Sequence, residues 1–424
     1  MKAVSAIQAG DPGRRTIFSI LFAISFVHLL NDTIQSVVPA IFPIIKESLL
    51  LSYTQLGLIA LALNITASLL QPLIGLYSDT RPKPYLLPLG MASTLLGVLM
   101  LSLSAHFWMI LLSVVLIGIG SASFHPESSR IAYLAAGNRR GLAQSIFQVG
   151  GNSGQALAPI MTALIFVPLG QFGIIWFTIA AGCAIILQTF TARWYSGQLK
   201  IHPPVPKRAK VKTAETKTAA IDPIRRKKVS FAIFILVLLV TTKMCYLSGM
   251  TSFYPFYLME HRGLTIDKAQ LYIFVFLVAG AIGTFMGGPL ADFWGRRNVI
   301  WFSIIGALPF AFLLPYANLF WSAVLLFVIG ITIIASSSVV VVYAQELVPG
   351  KIGTVSGLFF GLSFGIGGLA AAALGALADW TSLGLVIHLC AFLPLLGLLT
   401  IFLPSDRKLR EWANQAELES SGAK

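Results

Sequence analysis

The stretch "LIGLYSDTRPKP" (Leu73–Pro84) ends an apolar run on Gly75 and then sets Asp79, Arg81 and Lys83 among two prolines. The device returns as "GGPLADFWGRRN" (Gly287–Asn298). Gly75 to Gly288 and Asp79 to Asp292 are both 213 residues apart, about half of the 424-residue chain. The same charged punctuation therefore falls at the same place in each half. Two further segments echo each other, "GNRRG" (Gly137–Gly141) and "PGKIG" (Pro349–Gly353). A glycine-rich stretch follows each, with Gly150, Gly151 and Gly154 set against Gly357, Gly361 and Gly365.

What separates these punctuation marks is apolar. The chain is 56% hydrophobic and 11% charged, with a mean hydropathy of +0.82; soluble domains carry about 25% charged residues. Twelve apolar runs are long enough to cross a hydrocarbon core of ~30 Å. They are 17–45, 53–77, 85–105, 107–133, 142–168, 173–195, 229–257, 266–290, 299–316, 320–346, 354–378 and 385–403. Lipid offers backbone groups no partner, so these runs are read as helices.

The net charge of +14 is placed as the positive-inside rule demands, not as a nucleic-acid surface. With the N-terminus cytoplasmic, only Lys46, Arg262 and Lys268 fall on the outer side, and Arg130 and Lys243 within crossings. The punctuated stretches are then cytoplasmic loops, and both termini are cytoplasmic. Cys183, Cys245 and Cys390 are scattered singly in apolar runs, without metal or disulfide spacing. The first run lacks a cleavage site and is read as a retained helix.

Between residues 196 and 228 the apolar pattern stops, and Lys, Arg and Pro dominate. The sequence thus divides into a first six-helix bundle (1–195), a basic cytoplasmic linker (196–228), a second bundle (229–404) and a tail (405–424). The fold class is an all-α membrane protein of twelve transmembrane helices in two pseudo-symmetric bundles. Neither the linker nor the tail can bury a core alone, which argues against a membrane sensor with a soluble partner domain. No phosphate loop, nucleophile elbow or metal helix occurs, so the chain is not read as an enzyme, a metal protein or an ATP-driven pump.

Polar residues inside crossings carry the functional signal, because each must face water or another helix. Residues at i, i+3, i+4 and i+7 share a face. His28, Asn31, Asp32 and Gln35 do so in the first run; Gln144, Gln148, Asn152 and Gln155 do so in the fifth. Such stripes serve either a water-accessible path or interhelical hydrogen bonds. Asp32 lies roughly 21 Å from Phe18 at ~1.5 Å per residue. Burial there favours the neutral acid and a nearby cation the carboxylate, so Asp32, with His28, is either a proton carrier or a fixed structural pair. Lys243 lies at a similar depth in the seventh run and continues through Tyr246, Met250, Tyr254 and Tyr257. It is either an anion contact or a helix-pairing salt bridge. "FHPESSR" (Phe124–Arg130) brings His125, Glu127 and Arg130 together at a depth that, counted from Trp108, suggests a cytoplasmic gate. Glu346 occupies the corresponding end of the tenth run.

The two punctuated stretches resemble the cytoplasmic signature of the major facilitator superfamily: Gly, three residues, Asp, Arg, one residue, Gly, two basics. Thr80 and Pro82 in the first copy and Phe293 in the second depart from it. The resemblance implies a latch in which Asp79 faces the helix starting near Gly353 and Asp292 the one near Gly141. Arg81, Arg296 and Arg297 are the accompanying basics. It also implies that the first and seventh helices line a central cavity, where Lys243 faces Asp32. The segments "HLLNDTIQS", "GLAQSIFQVGGN", "VYAQELVPGKIGTVSGLFFG" and "CAFLPLLGLLTIFLP" are similar to bacterial fosmidomycin resistance proteins, efflux members of that superfamily. That likeness implies export of a small phosphonate in exchange for protons from the bacterial inner membrane. Lys243, Gln35, Asn31, Gln148, Asn152, Tyr246 and Tyr254 are the expected substrate contacts. It further implies a monomer in the lipid bilayer, driven by the proton gradient and without a cofactor or nucleic-acid partner. Import or exchange of an organic anion would use the same residues.

Overall fold

The computed structural model describes residues 16–137, 140–201, 223–348, 352–409 and 411–412. Among them there are helices and no strand. Eleven helices are long and apolar enough to cross a membrane. A twelfth apolar helix, Leu86–Ser102, has 17 residues, at the short end of what a crossing needs. The twelve-crossing, all-α membrane fold read from the sequence is the one observed.

The first unit takes in Met1–Val205 and Thr265–Phe274. Its helices are α1 (Phe18–Ala40), α2 (Phe42–Leu49), α3 (Tyr53–Thr80), α4 (Leu86–Ser102), α5 (Phe107–Ala135), α6 (Arg140–Met161) and α7 (Phe177–Ile201). Ser52 starts α3 with a capping box: Gln55 N donates to Ser52 Oγ at 3.1 Å, and Ser52 N to Gln55 Oε1 at 2.9 Å. These bonds satisfy two donors the helix start would otherwise orphan. Ile17 N donates to Ala135 O at 2.9 Å and Thr16 Oγ1 to Ala136 O at 2.9 Å. The start of α1 and the end of α5 therefore lie at one level.

The second unit takes in Pro206–Leu264 and Val275–Lys424. Its helices are α8 (Pro223–Ser252), α9 (Tyr254–Arg262), α10 (Ile266–Trp294, whose first turns belong to the first unit), α11 (Arg296–Ile305), α12 (Leu308–Leu313), α13 (Leu319–Leu347), α14 (Ile352–Trp380) and α15 (Leu383–Phe392). A 3-10 segment, Leu393–Phe402, completes the last crossing. The helices α7 and α8 run past the expected linker boundaries at 195 and 229. Their ends carry Lys200 and Arg225 to Lys228, which suit water beyond the apolar layer, and Pro223 sits at the first helical position, where its missing N–H costs nothing. The rest of the linker and most of the tail lie outside the described residues.

Large apolar side chains such as Phe22, Ile186, Phe285 and Leu369 are exposed, as lipid-facing positions should be. Trp108, Trp176, Phe320 and Trp321 stand exposed near helix starts, where amphipathic rings suit the membrane interface.

Within the first unit, α1 and α6 pack along each other, and the glycines of α6 make this possible. A Cβ at Gly150 would strike Ser25 O, and one at Gly154 would strike Leu29 O. A Cβ at Gly151 would lie 2.5 Å from His28 Nε2 and 3.0 Å from Asp32 Oδ2. Small residues let helix backbones approach this closely in lipid, where no hydrophobic force draws helices together. Gly154→Ala is therefore expected to cost about 1–3 kcal/mol through overpacking. Gly182→Ala in α7, where a Cβ meets nothing within 4 Å, should leave the unfolding temperature of the detergent-solubilised protein unchanged. Equal unfolding temperatures for the two variants would contradict this packing.

Candidate functional site

On α1 the residues of the polar stripe are buried: His28 is 3%, Asn31 1% and Asp32 5% exposed. Gln35 is half-buried. The contact with α6 positions them. His28 Nδ1 donates to Phe147 O at 2.8 Å, and its ring stacks on Phe147 with centroids 4.1 Å apart. Its other nitrogen, Nε2, lies 3.5 Å from Asp32 Oδ2. Gln155 Nε2 donates to the same oxygen at 3.1 Å, and Asn31 Nδ2 donates to Asp32 Oδ1 at 3.0 Å.

The third member comes from α5. His125 Nε2 lies 3.7 Å from Asp32 Oδ1, and His125 Nδ1 lies 3.1 Å from Ser121 O. The two imidazole rings stand perpendicular, 5.3 Å apart. Depth counted from Trp108 alone sets His125 near a boundary and suggests a gate. α5 has 29 residues, about 43 Å at the α-helical rise, and overshoots the membrane. Counted from the shared level at Phe18 and Ala135, His28 and His125 both lie about 15 Å in. They meet there. The donor atoms of His28, Asp32 and His125 lie within 4.8 Å of one another, close enough to converge on one cation. Each carboxylate oxygen accepts one amide hydrogen and keeps a second lone pair for a histidine nitrogen. Gln148 and Asn152 are half-buried on α6, with no described bond to this cluster.

In the second unit Lys243 is 4% exposed. Its ammonium donates to Ser337 Oγ of α13, and Ser337 Oγ in turn donates to Ile334 O at 2.7 Å. No carboxylate among the described residues pairs with Lys243. Tyr246, one turn along α8, is buried, and its hydroxyl has no hydrogen-bond partner. The helix that carries the stripe is interrupted at Phe253: α8 ends at Ser252 and α9 begins at Tyr254 with Pro255 in its first turn, and Tyr254 still interacts with Tyr246. Tyr254 stacks on Tyr257 at 5.7 Å, and Tyr257 donates to Pro315 O at 3.0 Å, a packing role. Ser337 carried no signal in the sequence beyond being one of three consecutive serines.

The expected gate residues hold each unit together internally. Arg130 Nη1 donates to Ser78 O at 2.8 Å and Tyr195 Oη at 3.3 Å, tying α5 to the ends of α3 and α7. Glu127 is fully buried beside it, and Arg81 is exposed. Arg296 pairs with Glu346 at 2.6 Å. Arg297 Nη2 donates to Ile401 O at 2.8 Å and its Nε to Thr400 O at 3.3 Å. Asp406 accepts from Arg296 N at 2.9 Å and Arg297 N at 3.4 Å, capping α11 beside Gly295 at φ +87. The side chains of Asp79 and Asp292, and the helix starts near Gly141 and Gly353, lie outside the described residues, and the expected latch with them.

A buried ammonium whose described partner is a hydroxyl is a stability cost kept for another reason. Lys243→Met should therefore hold or raise the unfolding temperature in the absence of an anion. A loss as large as that of a core truncation, about 2–5 kcal/mol, would show that Lys243 is structural.

The family model of the Major Facilitator Superfamily matches residues 21–372. The fosmidomycin resistance protein of Escherichia coli K12 is 48% identical over 404 residues, covering 95% of this chain and 97% of that one. The uncharacterised MFS-type transporter YfnC of Bacillus subtilis is 50% identical over 397 residues, covering 94% and 95%. Among solved structures, a bacterial homologue of the human lysosomal transporter Spinster, inward-facing and occupied, superposes with a TM-score of 0.68 at 17% identity, covering 94% and 96%. The nucleoside transporter NupG (D323A mutant) gives 0.68 at 16% identity, covering 90% and 99%. The chain belongs to the Major Facilitator Superfamily and is a multi-pass membrane transporter.

Proposed function

We propose that this transporter exports a small phosphonate of the fosmidomycin type across the bacterial cytoplasmic membrane in exchange for protons. It works as a monomer with both termini inside and draws on the proton gradient alone. The observation that carries the reading is the buried ammonium of Lys243. A phosphonate is anionic near neutral pH, and a positioned ammonium with neighbouring hydroxyls is the partner such a group needs. Ser337 and Tyr246 supply those hydroxyls. The 48% identity to a fosmidomycin resistance protein supports the same solute.

Exchange requires each leg of the cycle to carry one passenger. A form that held drug and proton together would move both the same way. The drug therefore leaves with the Asp32 site empty, and the proton enters on Asp32 and His28 with Lys243 free of drug. The buried Asp32 carboxylate is costly in hydrocarbon without a countercharge, so the empty site favours loading with a proton.

Purified protein in vesicles should couple labelled fosmidomycin movement to an imposed pH gradient. Asp32→Asn should abolish that coupling, and coupling that persists would contradict the proton assignment. Lys243→Ala should weaken phosphonate binding by about tenfold or more, as expected for a lost hydrogen bond to a charged group. Unchanged binding would move the anion contact elsewhere. Drug tolerance and labelled-drug uptake, compared in cells with and without the gene, decide direction: greater uptake with the gene would favour import.

A further inference from the structure

Both imidazoles of the first unit have one nitrogen committed. His28 Nδ1 faces Phe147 O at 2.8 Å and His125 Nδ1 faces Ser121 O at 3.1 Å. A carbonyl oxygen only accepts, so Nδ1 carries the hydrogen in each. The nitrogen left to titrate is Nε2 in both, and both Nε2 atoms point at Asp32, one toward each carboxylate oxygen. With the histidines neutral, two lone pairs confront a carboxylate, three acceptors with no hydrogen among them. A proton on either Nε2 turns the corresponding contact into an ion pair.

We propose that His125 is the second proton acceptor of this site and its port, so that a proton enters on His125 and passes through the Asp32 carboxyl to His28. The proposal rests on the antiport reading above and adds a residue and a path to it. In the relay, the Nε2–H bond of His125 breaks as an O–H bond forms at Asp32 Oδ1. Rotation of the carboxyl about Cβ–Cγ turns the hydrogen toward His28, where the O–H bond breaks and an Nε2–H bond forms. One proton moves and the net charge of the three groups is unchanged. Separations of 3.5 and 3.7 Å must close by about half an ångström for each transfer.

Exposure sets the direction. The His125 side chain is 19% exposed and that of His28 4%, so water reaches the site from α5. Asp32 and His28 are tied to α6 through Gln155 and Phe147, whereas His125 arrives on α5, just before Pro126. Charge coupling links Asp32 to both histidines and His125 to His28, so the three groups hold a proton jointly. Further ionisable groups on the helices packed against α1 include Glu127 and Arg130 of α5 and Arg193, Tyr195 and Lys200 of α7.

The test is nitrogen-15 NMR of histidine-labelled full-length protein, run beside vesicle transport. His28 and His125 should keep hydrogen on Nδ1 at every pH, and their Nε2 signals should titrate as a coupled pair. His125→Asn should move the His28 titration and reduce drug-driven proton movement by about a hundredfold, the scale of a lost proton-transfer group. A sharp thermal unfolding transition would show that the variant is folded. An Nε2–H tautomer of either histidine at high pH would overturn the proposal, as would an unchanged His28 titration in His125→Asn. Stoichiometric Zn²⁺ binding that His125→Asn removes would also overturn it, by giving the lone pairs to a metal. Coupled titration without drug-driven proton movement in the parent would sink the antiport reading alone. Uncoupled titration with that movement intact would sink the relay alone.

Discussion

Backbone contact between α1 and α6 sets what the first unit can do. Three glycines bring the helices so close that a methyl group at any of them would strike α1. That closeness delivers the Phe147 carbonyl to His28 and the Gln155 amide to Asp32. A carboxylate in hydrocarbon demands a cation, and among the described residues the groups within reach that can become one are the imidazoles of His28 and His125. An Asp beside a permanent Arg would be a fixed pair; an Asp between two histidines can gain and lose its cation as protons come and go. The geometry around Asp32 thus begins with the absence of side chains on one face of α6.

The second unit solves a different problem. It buries an ammonium and ties it to a hydroxyl instead of a carboxylate. At the start of α11, basic residues are satisfied locally: Arg296 by Glu346, Arg297 by the carbonyls that end the last crossing, and the first amides of α11 by Asp406. These contacts leave Lys243 as a buried cation not spent on architecture. Gly295 takes a left-handed backbone so that the following amides can meet Asp406, and a Cβ there would lie 2.6 Å from Asp406 Oδ2.

Much of this was legible in the residues. Apolar run length gave the crossings, because lipid admits few other solutions. The i, i+4 spacing of His28 and Asp32 marked two side chains that the structure places side by side. What was not legible depended on lengths and breaks that composition does not encode. His125 looked peripheral because depth was counted from Trp108, at the far end of α5 from the level that Ala135 shares with the start of α1. Ser337 and Asp406 act through tertiary contacts with residues 94 and 110 positions away, and no local pattern marks them.

The account stands on water reaching groups that sit at membrane depth. Single cysteines at Gln35 and at Met244, in a chain whose three native cysteines are replaced, test this most directly with a membrane-impermeant thiol reagent. The account predicts that both positions are modified and that the phosphonate slows modification at Met244. Complete protection of both positions at every pH, with and without phosphonate, would mean that no wet path reaches these charges.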